Sequence, residues 1–143
     1  MLQTLALVDG DLVLGADSFV LLSGPSKIKQ DLYLALTERY GADPYHPLWG
    51  TILAQYVGQP MTAGVQQSVY NEVNRVLSNY IAVQADRVAA AVTEDTKSTM
   101  TTADVVSSIE SITPTPVGDS LQVTVALTTM AGQQVVVQSQ SGT

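Results

Sequence analysis

The spacing of hydrophobic residues changes period twice along this chain, and each change marks a different kind of structure. At the start, Leu5, Leu7 and Val8 precede Asp9-Gly10-Asp11; Leu12, Val13 and Leu14 precede Gly15-Ala16-Asp17; and Phe19 to Leu22 follow. Short apolar runs broken by Asp and Gly predict strands joined by tight turns, because those residues tolerate positive φ. From Ser23-Gly24-Pro25-Ser26 the period becomes helical. Proline suits a first helical turn, where its missing N–H is not needed. Ile28, Leu32, Ala35 and Leu36 form an apolar stripe predicting a helix over 27–40, with Gly41 placed to end it. Pro44 and Pro47 exclude regular helix from 42 to 50. A short helix over 51–57, closed by Gly58, is expected next. Thr62 can then cap a long helix over 63–91. Its apolar face is Val65, Val69, Val73, Val76, Leu77, Tyr80 and Val88, and its polar face carries Gln66, Gln67, Asn71, Asn74, Ser78 and Asp86. Valine is a mediocre helix former, so packing must hold this helix.

Thr93 to Asp104 is polar and rich in threonine, and reads as a connector or solvated loop. Beyond it the period falls to two. Val106 to Ile112 predicts a strand, and Leu121, Val123, Val125 and Leu127 alternate with Gln122, Thr124, Ala126 and Thr128. Met130-Ala131-Gly132-Gln133 makes a turn, and Val135 to Gln138 returns as the last strand. The sum is a single α+β domain spanning 1–143, with strands at both ends and helices between.

Composition sharpens this picture in one respect. Of 143 residues only 13% are charged, against roughly 25% in ordinary soluble domains. Ser, Thr, Gln and Asn fill the deficit. Such a surface is easier to bury against a partner than a charged one, which suits a subunit of a larger assembly. Six Lys and Arg against thirteen Asp and Glu give a net charge of -7. There is no basic stripe, so no direct nucleic-acid partner is expected. The absence of cysteine removes disulfides and thiolate metal sites. No run approaches the roughly 20 apolar residues of a membrane span, and Met1 to Val8 lacks a positively charged start, so neither a membrane anchor nor a signal peptide is expected.

The ordered set Gln30-Asp31-Leu32, Leu36-Thr37, Gly41-Ala42-Asp43-Pro44, His46-Pro47, Trp49-Gly50-Thr51 and Leu53 resembles the baseplate wedge family of contractile-tailed phages, also called sheath initiators and sometimes "lysozyme-like". The Leu121 to Gln138 hairpin sits where that family has its closing strands, and the resemblance covers about two-thirds of the chain. It implies a virion tail baseplate subunit, assembled in the host cytoplasm in six copies per ring. Tail sheath, baseplate wedge and tail tube proteins would be its partners. Many members carry Glu-Pro-Arg between the long helix and the next strand. This chain has none: Asp86-Arg87 lacks the proline and lies within the helix. The wedge contact usual in the family therefore has no matching residues here.

Two partner-binding surfaces are expected. The loop holding Asp43, Pro44, Tyr45, His46, Pro47 and Trp49 combines low conformational entropy with large amphipathic anchors, although Trp49 could equally plug the domain's own core. The closing strands, through Leu121, Val123, Val125 and Leu127 or Val135 and Val137, could offer an edge to a neighbour's strand. Catalysis finds less support. His46 is the only histidine and lacks companion metal ligands. Glycoside hydrolysis needs two carboxylates about one bond; Glu38 with Asp43, or Glu110 with Asp119, are pairs that thirteen acids supply by chance. Neither a nucleophile elbow nor a phosphate-cradling glycine loop is present, so no catalytic residue, metal or cofactor is assigned. The alternatives are a peptidoglycan-degrading lysozyme-like enzyme, another tube-associated tail protein, and a generic binding module.

Overall fold

The computed structural model describes residues 3–9, 11–93 and 101–141, with side chains 91–93 left aside. The chain is α+β, in the order predicted from hydrophobic period. Short strands β1 (Gln3–Leu5), β2 (Leu7–Val8), β3 (Asp11–Leu12) and β4 (Leu21–Ser23) form a twisted ribbon, with β1 pairing β4 and β2 pairing β3. Helix α1 (Gly24–Thr37), a 3₁₀ turn (Leu53–Tyr56) and helix α2 (Ala63–Thr93) follow. A 3₁₀ turn at Thr102–Asp104 leads into β5 (Val106–Val117), β6 (Ser120–Thr129) and β7 (Gln134–Ser141), an antiparallel sheet ordered β5-β6-β7.

The two helices cover one face of that sheet, α1 over β7 and α2 over β5. Alternation along β6 puts Leu121, Val123, Val125, Leu127 and Thr129 inward, all buried, and β7 adds Val135 and Val137. They interlock with Ile28, Leu32 and Leu36 of α1 and Val69, Val73, Val76 and Leu77 of α2 in one cluster. This is the two-layer arrangement that an amphipathic helix and a one-sided sheet both need in order to bury their apolar stripes. Thr62 caps α2 as expected, its Oγ1 accepting the Val65 N–H at 3.3 Å.

Several boundaries and exposures differ from the sequence reading: β5 runs five residues past its predicted end at Ile112, through Pro114 and Pro116, and β7 runs to Ser141 rather than Gln138. Helix α1 stops at Thr37, and Gly41 lies four residues beyond its end. The Thr37 hydroxyl donates back to the Tyr33 and Leu34 carbonyls. Glu38 turns extended, so that its carbonyl accepts the Thr51 N–H at 2.8 Å and Arg39 bridges to Thr51. A long-range pairing thus overrides local helix propensity. The predicted 51–57 helix is only a 3₁₀ turn, since Thr51 belongs to that bridge. Val88 is exposed, beyond the part of α2 that meets the sheet.

The largest departure is Asp104, read as part of a solvated connector and found 2% exposed. Of the connector, 94–100 lie outside the described residues. One Asp104 carboxylate oxygen accepts the Gly24 N–H at 2.9 Å, where α1 begins; the other accepts the Thr101 N–H at 2.9 Å and the Thr101 hydroxyl at 3.1 Å. Gln84 of α2 completes the junction: its amide donates to the Asp104 carbonyl at 2.9 Å and accepts the Val106 N–H at 3.0 Å. Replacing Gln84 by Met keeps the volume but strands two buried backbone groups. Urea unfolding should show a loss of about 2–4 kcal/mol, whereas Gln66→Met on the exposed face should change stability by less than about 0.5 kcal/mol.

Candidate functional site

The proline loop is closed at its base by the Arg39–Thr51 bridge and by Tyr40 N–H to Thr51 O at 3.0 Å and Gly41 N–H to Trp49 O at 3.1 Å. Within it, Asp43 organises the turn. Its side chain accepts the Tyr45 N–H at 2.9 Å and meets His46 Nδ1 at 2.6 Å. The His46 hydrogen bond first, then the Tyr45 N–H, hold the Asp43 carboxyl below the usual carboxylate range. His46 and Trp49 stack obliquely, ring centroids 5.4 Å apart. Tyr45 stands 89% exposed and Leu48 62% exposed. Trp49 is half-buried, facing Ala35 of α1 and Val76 and Tyr80 of α2 across a small gap. The loop therefore brings Asp43, Pro44, Tyr45, His46 and Pro47 together at the surface, while Trp49 is divided between core and surface.

Helix α2 clamps this loop through two residues that hydrophobic patterning does not single out. Arg75 donates to Gly50 O at 2.8 Å and to Leu48 O at 3.4 Å, lies 5.0 Å from the Tyr40 ring centroid, and pairs with Glu72 at 2.7 Å. Glu72 in turn accepts the Ile52 N–H at 3.1 Å. The i, i+3 spacing of Glu72 and Arg75 was the available signal. Burial pushes the Glu72 carboxyl up, but the Arg75 and Ile52 hydrogen bonds and the Arg75 charge outweigh it and leave the pKa lowered. Gly50, with φ 90, completes the clamp: a Cβ there would lie 2.4 Å from the Arg39 carbonyl oxygen. Nearby, the Tyr80 hydroxyl donates to Asp31 at 2.9 Å, and Lys27 pairs with the same carboxylate. Burial, then the Asp31 charge, push the Tyr80 phenol well above its ordinary pKa.

The closing sheet places its predicted residues differently from the loop. Leu121, Val123, Val125, Leu127, Val135 and Val137 are 4% exposed or less, so their side chains face the core and can touch no partner. Leu121 to Leu127 also cannot be an edge, because β6 is hydrogen-bonded on both sides. What the sheet presents outward is the alternate set: Ser108, Ser111, Thr113 and Thr115 on β5, Gln122, Thr124, Ala126 and Thr128 on β6, and Gln134, Val136, Gln138 and Gln140 on β7. None is charged. Glu110, set off by a bulge, is tied to the hydroxyls of Ser108 at 3.1 Å and Thr128 at 2.9 Å. The period-two pattern located this sheet, but the polar half of each strand, rather than the apolar half, is its accessible face.

The carboxylate pairs do not converge on a cleft in the one case the fold decides. Glu110 lies within β5 and Asp119 in the turn beyond its far end, roughly 25 Å away along the strand at about 3.3 Å per residue, where glycosidic carboxylates need about 5–10 Å. Among the described residues no three His, Cys, Asp or Glu side chains gather into a metal-sized group. No family model matches the chain, and no curated protein or solved structure matches it either.

Two measurements check the clamp. Gly50→Ala forces a Cβ against backbone at positive φ, and chemical denaturation should show about 2–3 kcal/mol lost. The Glu72 contribution has a defined sign with pH. A carboxyl whose pKa is depressed by folding stabilises the protein above its ordinary value of 4.5 and loses that contribution as pH falls through the lower folded value. The stability gap between the native protein and Glu72→Gln should therefore be full at pH 6 and shrink steadily below pH 4.5; a gap that widens on acidification would contradict the clamp.

Proposed function

We propose that this protein is a non-enzymatic structural subunit of a contractile phage tail baseplate or a related injection system. It links wedge and tube to the sheath and starts sheath assembly by accepting β-strands from sheath subunits. The observation that carries this reading is the C-terminal sheet. Its helix-free face is polar and carries one carboxylate, Glu110, bound by the Ser108 and Thr128 hydroxyls, and both its edge strands lack a neighbouring strand among the described residues. Hydroxyl and amide side chains cost less to desolvate than charges, and unpaired strand edges are the natural site for an added strand. The resemblance of 27–58 to sheath initiators supplies the setting, and the rigid, aromatic-tipped loop at Tyr45 offers a second contact for wedge or tube.

The mechanism is templating. A ring of subunits held in the baseplate presents acceptor edges already fixed in space. The loss of translational and rotational freedom that opposes the first sheath ring is then shared among several simultaneous contacts. The test is seeding. Added to the sheath and tube proteins of a contractile tail, substoichiometric protein should shorten the lag of sheath polymerisation followed by light scattering. An unchanged lag would overturn the proposal, as would a clearing zone from the purified protein on a peptidoglycan gel.

A further inference from the structure

The two edges of the sheet are not equivalent. The Thr129 N–H donates to Gln133 O at 2.9 Å across the β6–β7 turn. From that pair, alternation assigns the backbone groups of Val135, Val137, Ser139 and Ser141 to β6. The N–H and C=O groups of Val136, Gln138 and Gln140 point the other way, and no described residue bonds them. On β5 the same alternation, run from the Val117–Ser120 turn, turns Ile112, Pro114 and Pro116 outward. Two of those three have no N–H to give. Further along, bulges break the β5 register between Val106 and Ser108 and between Ile109 and Ser111, another feature that hinders strand addition. β5 is a closed edge; β7 carries no proline, bulge or charge.

Beside β7 runs a groove of about 320 Å³, bounded by the Val137–Gln138 backbone, by Lys29 and Tyr33 of α1, and by Leu7 and Leu22 of the ribbon. Gln30 fixes the distance between the two walls. Its side chain accepts the Leu7 N–H at 2.8 Å and donates to the Leu5 carbonyl at 2.8 Å, locking ribbon to helix. Lys27 is paired with Asp31, but Lys29 has no ion pair among the described residues.

We infer that the β7 edge and this groove form a slot for one extended segment of another protein, whose helix-facing residues alternate between an apolar side chain, set against Leu7, Leu22 and Tyr33, and a carboxylate paired with Lys29. This rests on the reading of the sheet as an acceptor of strands and adds which edge accepts and what it selects. A second copy of this chain is a poor occupant, because its net charge of -7 repels itself.

The probes are two capped nine-residue peptides of alternating Val and Thr, identical except for Glu or Lys at one helix-facing position, added to the ¹⁵N-labelled protein. With the Glu peptide, exchange of the Val136, Gln138 and Gln140 amides should slow by about tenfold or more. The Lys peptide should bind about threefold more weakly, the scale of one solvent-accessible ion pair. Lys29→Glu should reverse that preference. Gln138→Pro, which deletes an outward N–H that β6 does not use, should abolish binding with the fold intact; if it unfolds the protein, the Lys29→Glu reversal decides. Protection on β5 or the ribbon, equal affinity for both peptides, or no protection at millimolar peptide would each overturn the slot. So would β7 protection that grows with protein concentration alone, which would put a second copy there. Sheath seeding that survives Gln138→Pro would remove the slot while leaving the proposed function standing.

Discussion

The structure depends on one buried polar junction. Asp104 and Gln84 hold the start of α1, the middle of α2 and the start of β5 in one hydrogen-bonded knot, with Asp104 almost wholly out of water. A buried carboxylate is tolerated only when its oxygens are met, and here both are. The position is also electrostatically suited, since the Gly24 N–H belongs to the first turn of α1, where the helix dipole favours negative charge. Apolar packing alone would let the helices slide along the sheet, because side chains of similar shape recur every turn. Directional bonds to fixed backbone atoms set one register. The Met130 N–H to Val105 O bond, at 2.9 Å, extends that register to the β6–β7 turn, and with it to the exposed edge.

Much of this architecture was legible from period alone. The stripe Ile28, Leu32, Ala35, Leu36 and the alternation from Leu121 to Leu127 are burial patterns that a single helix or strand imposes on its own residues, and both are buried as read. What could not be read are features set by partners distant in sequence. Helix α1 ends at Thr37 because Thr51 claims Glu38 and Arg39 from across the proline loop; no local residue announces this. Asp104 sits in a Thr-rich stretch whose composition says solvent, and only the approach of Gly24, eighty positions earlier, makes it a core residue.

The candidate site shows a similar division. Asp43, Tyr45 and His46 form a local turn whose hydrogen bonds span two or three residues, so sequence places them on the surface correctly. Trp49 was ambiguous because its partners, Ala35 and Tyr80, come from two other elements. The strands were misread in a more instructive way. The apolar residues that make β6 and β7 recognisable are spent on the core. In a one-sided sheet the recognisable half and the available half of a strand are different residues. Which strands are edges is a matter of strand order, and that appears only when β5 is seen to flank β6 on the side away from β7.

The asymmetry of the edges has a consequence for any assembly this chain joins. A sheet with two open edges can pair at both, and copies of it would add to one another without limit, the route to fibres. Prolines at 114 and 116 remove the outward donors from one edge at positions where β6 loses nothing, so the closure costs the fold little. One usable edge means that each subunit can take one added strand and then has none to offer. In the ring proposed above, such subunits would present as many acceptor sites as the ring has members and would not extend it in the plane of their sheets. The low charge of the outer face fits the same logic, because a surface meant to be covered once, in a fixed place, gains little from the charges that keep free proteins apart. The ribbon holds Asp9, Asp11 and Asp17 with no base, whereas β6 and β7 hold no charged residue at all and the sheet's two acids, Glu110 and Asp119, both lie on the β5 side, away from the open edge.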